Sequence, residues 1–349
     1  MPKPFHRRQF LLMSAVVGGI SSHVLWNLLR QTGSRDTSAE QLVPGLKQGR
    51  RTSRALGTSI SLLALHEDKL VIDAAFTAAF GELELIESLM SIYRPESQLS
   101  QLNRTGLFER PHPCFVEVLE ASQAMAKRSN GAFDVTVQPL WDLYAAAQLN
   151  GKLPDAAAIE NARIKVDWRK LEVRPEHVRL WGKDMSVTLN GIAQGYAADR
   201  VLAVLRAHGI VHALVNTGEI GTLGNKNGSP GCPWSVGIQH PRHEEAYLGI
   251  AMLNGGCLAT SGDYEIFFSA DRTYNHIFDP ATGRSPEAFS SVSVAASSGM
   301  DADALSTAIF VTGMERGVRL VEETPGAHAL FVCKDGTQLA TKGFPISPL

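Results

Sequence analysis

Four runs of strand-forming residues, 212–216, 234–239, 247–253 and 292–296, follow one another with no helical period between them. Parallel strands joined in a doubly wound sheet need a crossover, usually a helix, between each pair. The succession therefore predicts an α+β architecture of mixed β-sheets with packed helices. Further strands are predicted at 59–65, 187–189 and 329–333. Apolar residues at helical spacing, among them Ala75, Ala79, Leu83, Ile86 and Leu89, predict a long helix over 74–92. Other helices are expected at 115–129, stopped by Asn130-Gly131, at 192–208, closed by Gly209, and at 303–312, closed by Gly313.

With 349 residues, 44% of them hydrophobic and 19% charged, the chain has the apolar material for a substantial core. A formal charge of -2, with no basic reading helix or aromatic RNA-binding motif, argues against nucleic acid as a partner. Cys114, Cys232, Cys257 and Cys333 are far apart and form no CxxC, so they support neither a zinc knuckle nor a dithiol motif. They read as small buried residues, and spacing alone assigns no disulfide.

The start of the chain reads as an address. His6-Arg7-Arg8-Gln9-Phe10-Leu11-Leu12 precedes an apolar stretch to Leu29 that is diluted by Gly18, Gly19, Ser21, Ser22, His23 and Asn27. Residues 1–30 look like a twin-arginine signal, which implies export to the periplasm, either cleaved or retained as an inner-membrane anchor. Residues 31–51, rich in Gln, Ser, Thr, Gly and Arg without apolar periodicity, are expected to be a linker. With no second linker visible, residues 52–349 are expected to form one domain.

Three blocks carry candidate chemistry. In Thr188-Leu189-Asn190-Gly191-Ile192-Ala193-Gln194-Gly195 a glycine turn opens a helix, a geometry that presents backbone N–H groups to an anion such as a pyrophosphate. Glycines there are equally compatible with plain turn punctuation. In Asn275-His276-Ile277-Phe278-Asp279-Pro280-Ala281-Thr282-Gly283 a histidine stands beside a rigid turn, placed to act as acid or base or to serve as a structural residue. Asp303 and Thr307, four residues apart on one helix face, are a hard-oxygen pair suited to Mg²⁺, though Asp301 or Asp303 also suits a helix cap. Tyr93 lies at a helix end, placed to stack on a planar ligand or plug the core. Residues 131–137 and 259–265 read as small-residue turns carrying acids.

Taken in order, and together with residues 234–241 (WSVGIQHP), these segments resemble the ApbE family of FAD:protein FMN transferases over nearly the whole body. The chain further resembles the NosX branch, which serves nitrous-oxide respiration. The resemblance implies a single catalytic domain that binds FAD through Leu56, Tyr93, Ala132, Phe133, Asp134, Thr188, Gln194 and Ile277. It also implies Mg²⁺ held by the Gly191 carbonyl, Asp303 and Thr307. His276 is then the candidate to orient or deprotonate an acceptor hydroxyl. The acceptor implied is a protein, usually a membrane redox subunit, with an Asp-Gly-x-(Ser/Thr)-Gly-x-Thr type of segment. Two positions depart from the family pattern, which commonly has an acid where Thr188 stands and often a lysine where Gln194 stands. That departure motivates a rival reading as an FAD carrier without transferase activity; a Mg²⁺-dependent FAD hydrolase is a third.

Overall fold

The computed structural model describes residues 42–347. The twin-arginine segment and the linker as far as residue 41 lie outside the described residues. Regular structure begins before Thr52. Strand β1 (Lys47–Ala55) pairs along its whole length with β2 (Thr58–His66), so residues 47–51, expected in the linker, are strand. That stretch is polar and shows no alternation. Gly49 admits it to the fold, because a Cβ there would lie 2.4 Å from Ile72 Cγ2.

Helix α1 (Lys69–Met90) starts where Asp68 accepts the Leu70 N–H at 2.9 Å, and it buries Ile72, Phe76, Ala79, Leu83 and Ile86 along one stripe. After it come α2 (Gln98–Thr105), β3 (Leu107–Glu109), α3 (Pro113–Arg128), α4 (Gln138–Gln148), α5 (Ala156–Arg163), β4 (Leu171–Val173) and β5 (His177–Leu180). Helix α6 (Ala193–Ala207) leads into β6 (His212–Asn216), β7 (Ile220–Leu223), the hairpin β8 (Trp234–His240) and β9 (His243–Leu253), and β10 (Gly256–Gly262). The chain continues through β11 (Phe289–Ala296), α7 (Gly299–Thr312), α8 (Met314–Glu322), β12 (His328–Cys333), β13 (Gln338–Ala340) and β14 (Ile346–Ser347).

Eight strands form the main sheet in the order β1-β2-β6-β7-β10-β11-β12-β13, with neighbours antiparallel throughout. The period-two alternation of each strand gives this sheet two working faces. Ile60, Leu62 and Ala64 of β2 enter the main core with α1, α6 and α7, whereas Leu63 packs with Trp234, Val236 and Leu253 of a second sheet, β14-β9-β8. Helices on one face and a small sheet on the other make the α+β arrangement that the strand succession implied. A third cluster, Leu140, Tyr144, Ile159, Ala162 and Phe278, pins the long connection between β10 and β11 onto α4 and α5. Among the described residues no helix is long and apolar enough to cross a membrane.

Two further expectations are corrected. Residues 187–189 join no sheet: the Asn103 side chain accepts the Val187 N–H at 2.7 Å and donates to its carbonyl at 2.8 Å, replacing a strand neighbour. Residues 259–262, read as part of a turn, belong to β10, which lies between β7 and β11; only the segment after Gly262 turns.

Candidate active site

The site is built where α6 and α7 cross. A Cβ at Gly195 would lie 2.0 Å from the Gly299 carbonyl oxygen, and one at Gly299 would lie 2.5 Å from the Gly195 carbonyl oxygen. Only glycine at both positions permits so close an approach of two backbones. Each helix then serves the start of the other. Asp199 of α6 accepts the Ser298 hydroxyl (2.8 Å) and the N–H groups of Gly299 (2.7 Å) and Met300 (2.9 Å) at the N-terminus of α7. Asp303 of α7 accepts the Gly195 N–H at 2.9 Å in the first turn of α6, whose own N-cap, Ile192, supplies no side-chain bond.

This crossing brings the two predicted blocks together. A Cβ on Gly191 would lie 3.0 Å from Thr307 Oγ1 and 3.5 Å from the Phe133 ring, so the turn, the hydroxyl and the Gly131–Asp134 segment share one corner. Ser261 of β10 adds its hydroxyl, 3.0 Å from Thr307 Oγ1 and 2.8 Å from Ser306 Oγ. Asp303 is 4% exposed, and burial pushes its carboxyl up to about 7 against the lowering effect of the Gly195 N–H. No lysine or arginine pairs with it among the described residues. A buried carboxylate with no counter-ion, beside a hydroxyl and a backbone turn, suits a hard divalent cation. Among the described residues no group of three or more His, Cys, Asp or Glu side chains is placed to hold an ion. The donor set therefore fits Mg²⁺, which keeps waters and takes substrate phosphates, better than an ion needing an all-protein cage.

The other predicted residues fall into two groups. Tyr93 is 45% exposed just beyond the end of α1 and hydrogen-bonds the side chain of Asn190, next to Gly191. Ala132 lines a cavity of about 270 Å³ between residues 129–132, Asp279 and Ala281 of the turn, and the C-terminal end of α7. Leu56 holds φ 52° at the tip of the β1–β2 hairpin, an uncommon backbone for a leucine. Gln194 lays its amide over Gly218, where a Cβ would be 2.5 Å away. Thr188 donates its N–H to the Val135 carbonyl at 2.8 Å.

Phe133, Asp134 and Ile277 point inward. Ile277 is 7% exposed within the main core. Asp134 spends its carboxylate on the N–H (2.8 Å) and hydroxyl (2.7 Å) of Thr136 and on the Trp168 N–H (3.0 Å). A ligand contact at Asp134 or Ile277 therefore runs through the backbone.

His276 is fixed by a neighbour in space. Its own N–H donates to the Ile266 carbonyl at 3.0 Å, and its Nδ1 lies 3.1 Å from the same oxygen. Since a carbonyl only accepts, Nδ1 carries the proton and Nε2 keeps its lone pair. Burial holds the ring below the ordinary histidine range, while the Ile266 bond and the charge of Asp263 oppose it. Asp263 itself is fully buried and clamped by Arg242 through two bonds of 2.7 and 2.8 Å, with Lys334 on the same carboxylate. The Asp279 turn closes through Gly283 N–H to the Asp279 carbonyl (2.8 Å), with Gly283 at φ 67°.

Asp199, Ser261, Glu219 and the Asp263–Arg242 pair were not singled out in the sequence. Asp199, Ser261 and Asp263 lie inside the segments that were read, but their roles depend on partners 21 to 101 residues away.

The ApbE family model matches residues 56–331. An FAD:protein FMN transferase of Treponema pallidum is 33% identical over 294 residues, covering 78% of this chain and 80% of that protein. Among solved structures, the ApbE protein of Thermotoga maritima aligns with a TM-score of 0.77 at 28% identity, and the flavin transferase ApbE of Vibrio cholerae with 0.74 at 26%. Both alignments cover 86% of this chain and 100% of the other. The motifs, the fold and these matches agree: the chain belongs to the ApbE family.

Proposed function

We propose that this protein is an FAD:protein FMN transferase, which moves FMN from FAD onto a threonine or serine hydroxyl of an acceptor protein and releases AMP. The observation that carries the reading is the corner formed by Gly191, Asp303 and Thr307 beside the first turn of α6, an anion-receptive helix start paired with a hard-oxygen cation site. Gly191 through its carbonyl, Asp303 through the oxygen not engaged by Gly195, and Thr307 through its hydroxyl would hold Mg²⁺. When bound there, the ion supplies charge neutralisation to the FAD diphosphate. Tyr93 offers a ring to the flavin, and Ala132, Thr188 and Gln194 border the remainder of the nucleotide.

The chain's own residues then handle the proton. The acceptor hydroxyl oxygen forms a bond to the FMN phosphorus, the bond from that phosphorus to the bridging oxygen breaks, and AMP leaves with that oxygen. Nε2 of His276, neutral and with its lone pair free, takes the hydroxyl proton. The clamp on Asp263 keeps the residues leading to His276 in place, which is pre-organisation the step requires.

The neutral Thr188 and Gln194 favour a second reading, a flavin carrier that binds FAD without transferring it. Loss of one charge-assisted contact costs about 1.5–3 kcal/mol, and two opposite losses partly offset each other, so the transferase reading is kept. Chromatography of AMP released from FAD and Mg²⁺, with and without an acceptor bearing the Asp-Gly-x-(Ser/Thr)-Gly-x-Thr type of segment, separates the readings. Acceptor-dependent AMP supports transfer, acceptor-independent AMP supports hydrolysis, and none supports the carrier. The twin-arginine resemblance supports a periplasmic place of action, with a membrane redox subunit, in the NosX-like case one serving nitrous-oxide reduction, as acceptor.

A further inference from the structure

Glu219 has no role in the mechanism above, yet its carboxylate is held at the same corner. It closes the turn between β6 and β7. Thr217 donates its N–H to the Glu219 carbonyl at 2.9 Å and its hydroxyl to the Gln194 carbonyl at 2.9 Å, tying the turn to the first turn of α6. Gly218, at φ 105°, leaves the space that the Gln194 amide fills. On the other side, Glu219 Oε2 accepts the Thr260 N–H at 3.1 Å, and the next residue, Ser261, hydrogen-bonds Thr307. The carboxylate is thus fixed between α6, β10 and α7, where burial first, and then the charges of Asp303 and Glu265, disfavour its ionisation.

Two carboxylates are held at this corner, Asp303 buried and Glu219 half-buried, and neither has a lysine or arginine partner among the described residues. The side chain best placed to bring a cation from α6 is Gln194, a neutral amide. Carboxylates withdrawn from water are expensive without a compensating charge, and the hydrogen bonds these two accept come from the Gly195 and Thr260 backbone N–H groups. A divalent cation is the species that would satisfy both acids at once.

We propose that Glu219 is the second carboxylate of the metal site, facing the ion across from Asp303 and engaging it through a water of its shell, so that a divalent cation binds the protein before any flavin nucleotide does. This rests on the metal reading of Asp303 and Thr307. Its consequence is an order of assembly: the cation is loaded first, and the diphosphate arrives at a site already neutralised.

The test is Mn²⁺ binding to the full chain without nucleotide, followed by electron paramagnetic resonance, for the wild type, E219Q, E219D and D303N. Wild type is expected to bind, E219Q to bind tenfold or more weakly, E219D to recover most of the loss, and D303N to lose binding. Thermal melts in EDTA check folding. E219Q is expected to melt at or above the wild type, since it removes a repulsion, and to gain less stability from Mg²⁺. Unchanged Mn²⁺ affinity in E219Q with loss in D303N would remove Glu219 and leave the metal reading standing. Unchanged affinity in D303N would remove the metal reading itself, and a wild type that binds no Mn²⁺ until FAD is added would overturn the proposed order.

Discussion

Asp303 Oδ2 accepts the N–H of Gly195 at 2.9 Å across the crossing of α6 and α7, so one carboxylate both finishes the start of one helix and stands at the candidate metal corner. The approach that allows this has no slack. Gly195→Ala would set a methyl 2.0 Å from the Gly299 carbonyl oxygen, a backbone atom that cannot rotate away. The helices would have to separate, at a cost of about 3 kcal/mol. Urea unfolding should show that loss, together with weakened Mg²⁺ dependence of any activity.

Asp199 tests the other half of the exchange. It serves three donors at the start of α7 from a different helix. Asp199→Ala should cost about 2–3 kcal/mol, more than an ordinary cap, because the acceptor is charged and partly buried. Asp199→Asn should recover part of it. A Ser298→Ala variant, which removes the local cap to the Asp301 N–H, should cost about 1 kcal/mol.

For His276, removal of the ring in His276→Ala should leave FAD binding intact while transfer slows by roughly 10²-fold or more. The pH dependence has a definite sign. A base works deprotonated, and burial lowers this ring below the ordinary histidine value of about 6.5. Activity should therefore hold as pH falls to that value and decline only below it. With Mg²⁺ saturating, so that Asp303 stays ionised, an acid limb centred above it would contradict the assignment, and normal transfer by the alanine variant would reduce His276 to a structural residue.

Asp263 shows why the loop bearing His276 stays in place. Two cations share one fully buried carboxylate. Arg242→Met leaves Lys334 behind and should cost about 2 kcal/mol; replacing both strands a buried charge and should cost about 3–5 kcal/mol. Chemical denaturation of the single and double variants measures the difference.

Much of the fold was legible because its strongest segments obey one period each. The apolar stripe of α1, the alternation of β2 and β6 and the unbroken apolar run of β12 are local properties of the chain. The failures have a common physical cause, partners supplied from far along the sequence. Residues 187–189 look like a strand, but Asn103 takes both backbone bonds of Val187 and the Val135 carbonyl takes the Thr188 N–H, in place of a strand neighbour. Strand β10 is made of small residues that favour turns, and it becomes a strand because β7 and β11 flank it. Strand β1 has no apolar face to reveal it. At the site, Asp303 and Thr307 were visible through their helical spacing. Ser261 and Glu219 were not, since a serine in a strand and an acid in a turn acquire meaning only when α7 is laid against β10.

The central claim is the transfer itself, and the direct measurement is flavin fluorescence on a denatured acceptor after incubation with this protein, FAD and Mg²⁺. Transfer predicts a fluorescent acceptor band that survives denaturation, disappears with EDTA, and is absent with Asp303→Asn or when the acceptor's threonine is changed to valine. An acceptor that stays dark while the protein holds FAD tightly would contradict it and identify a flavin carrier.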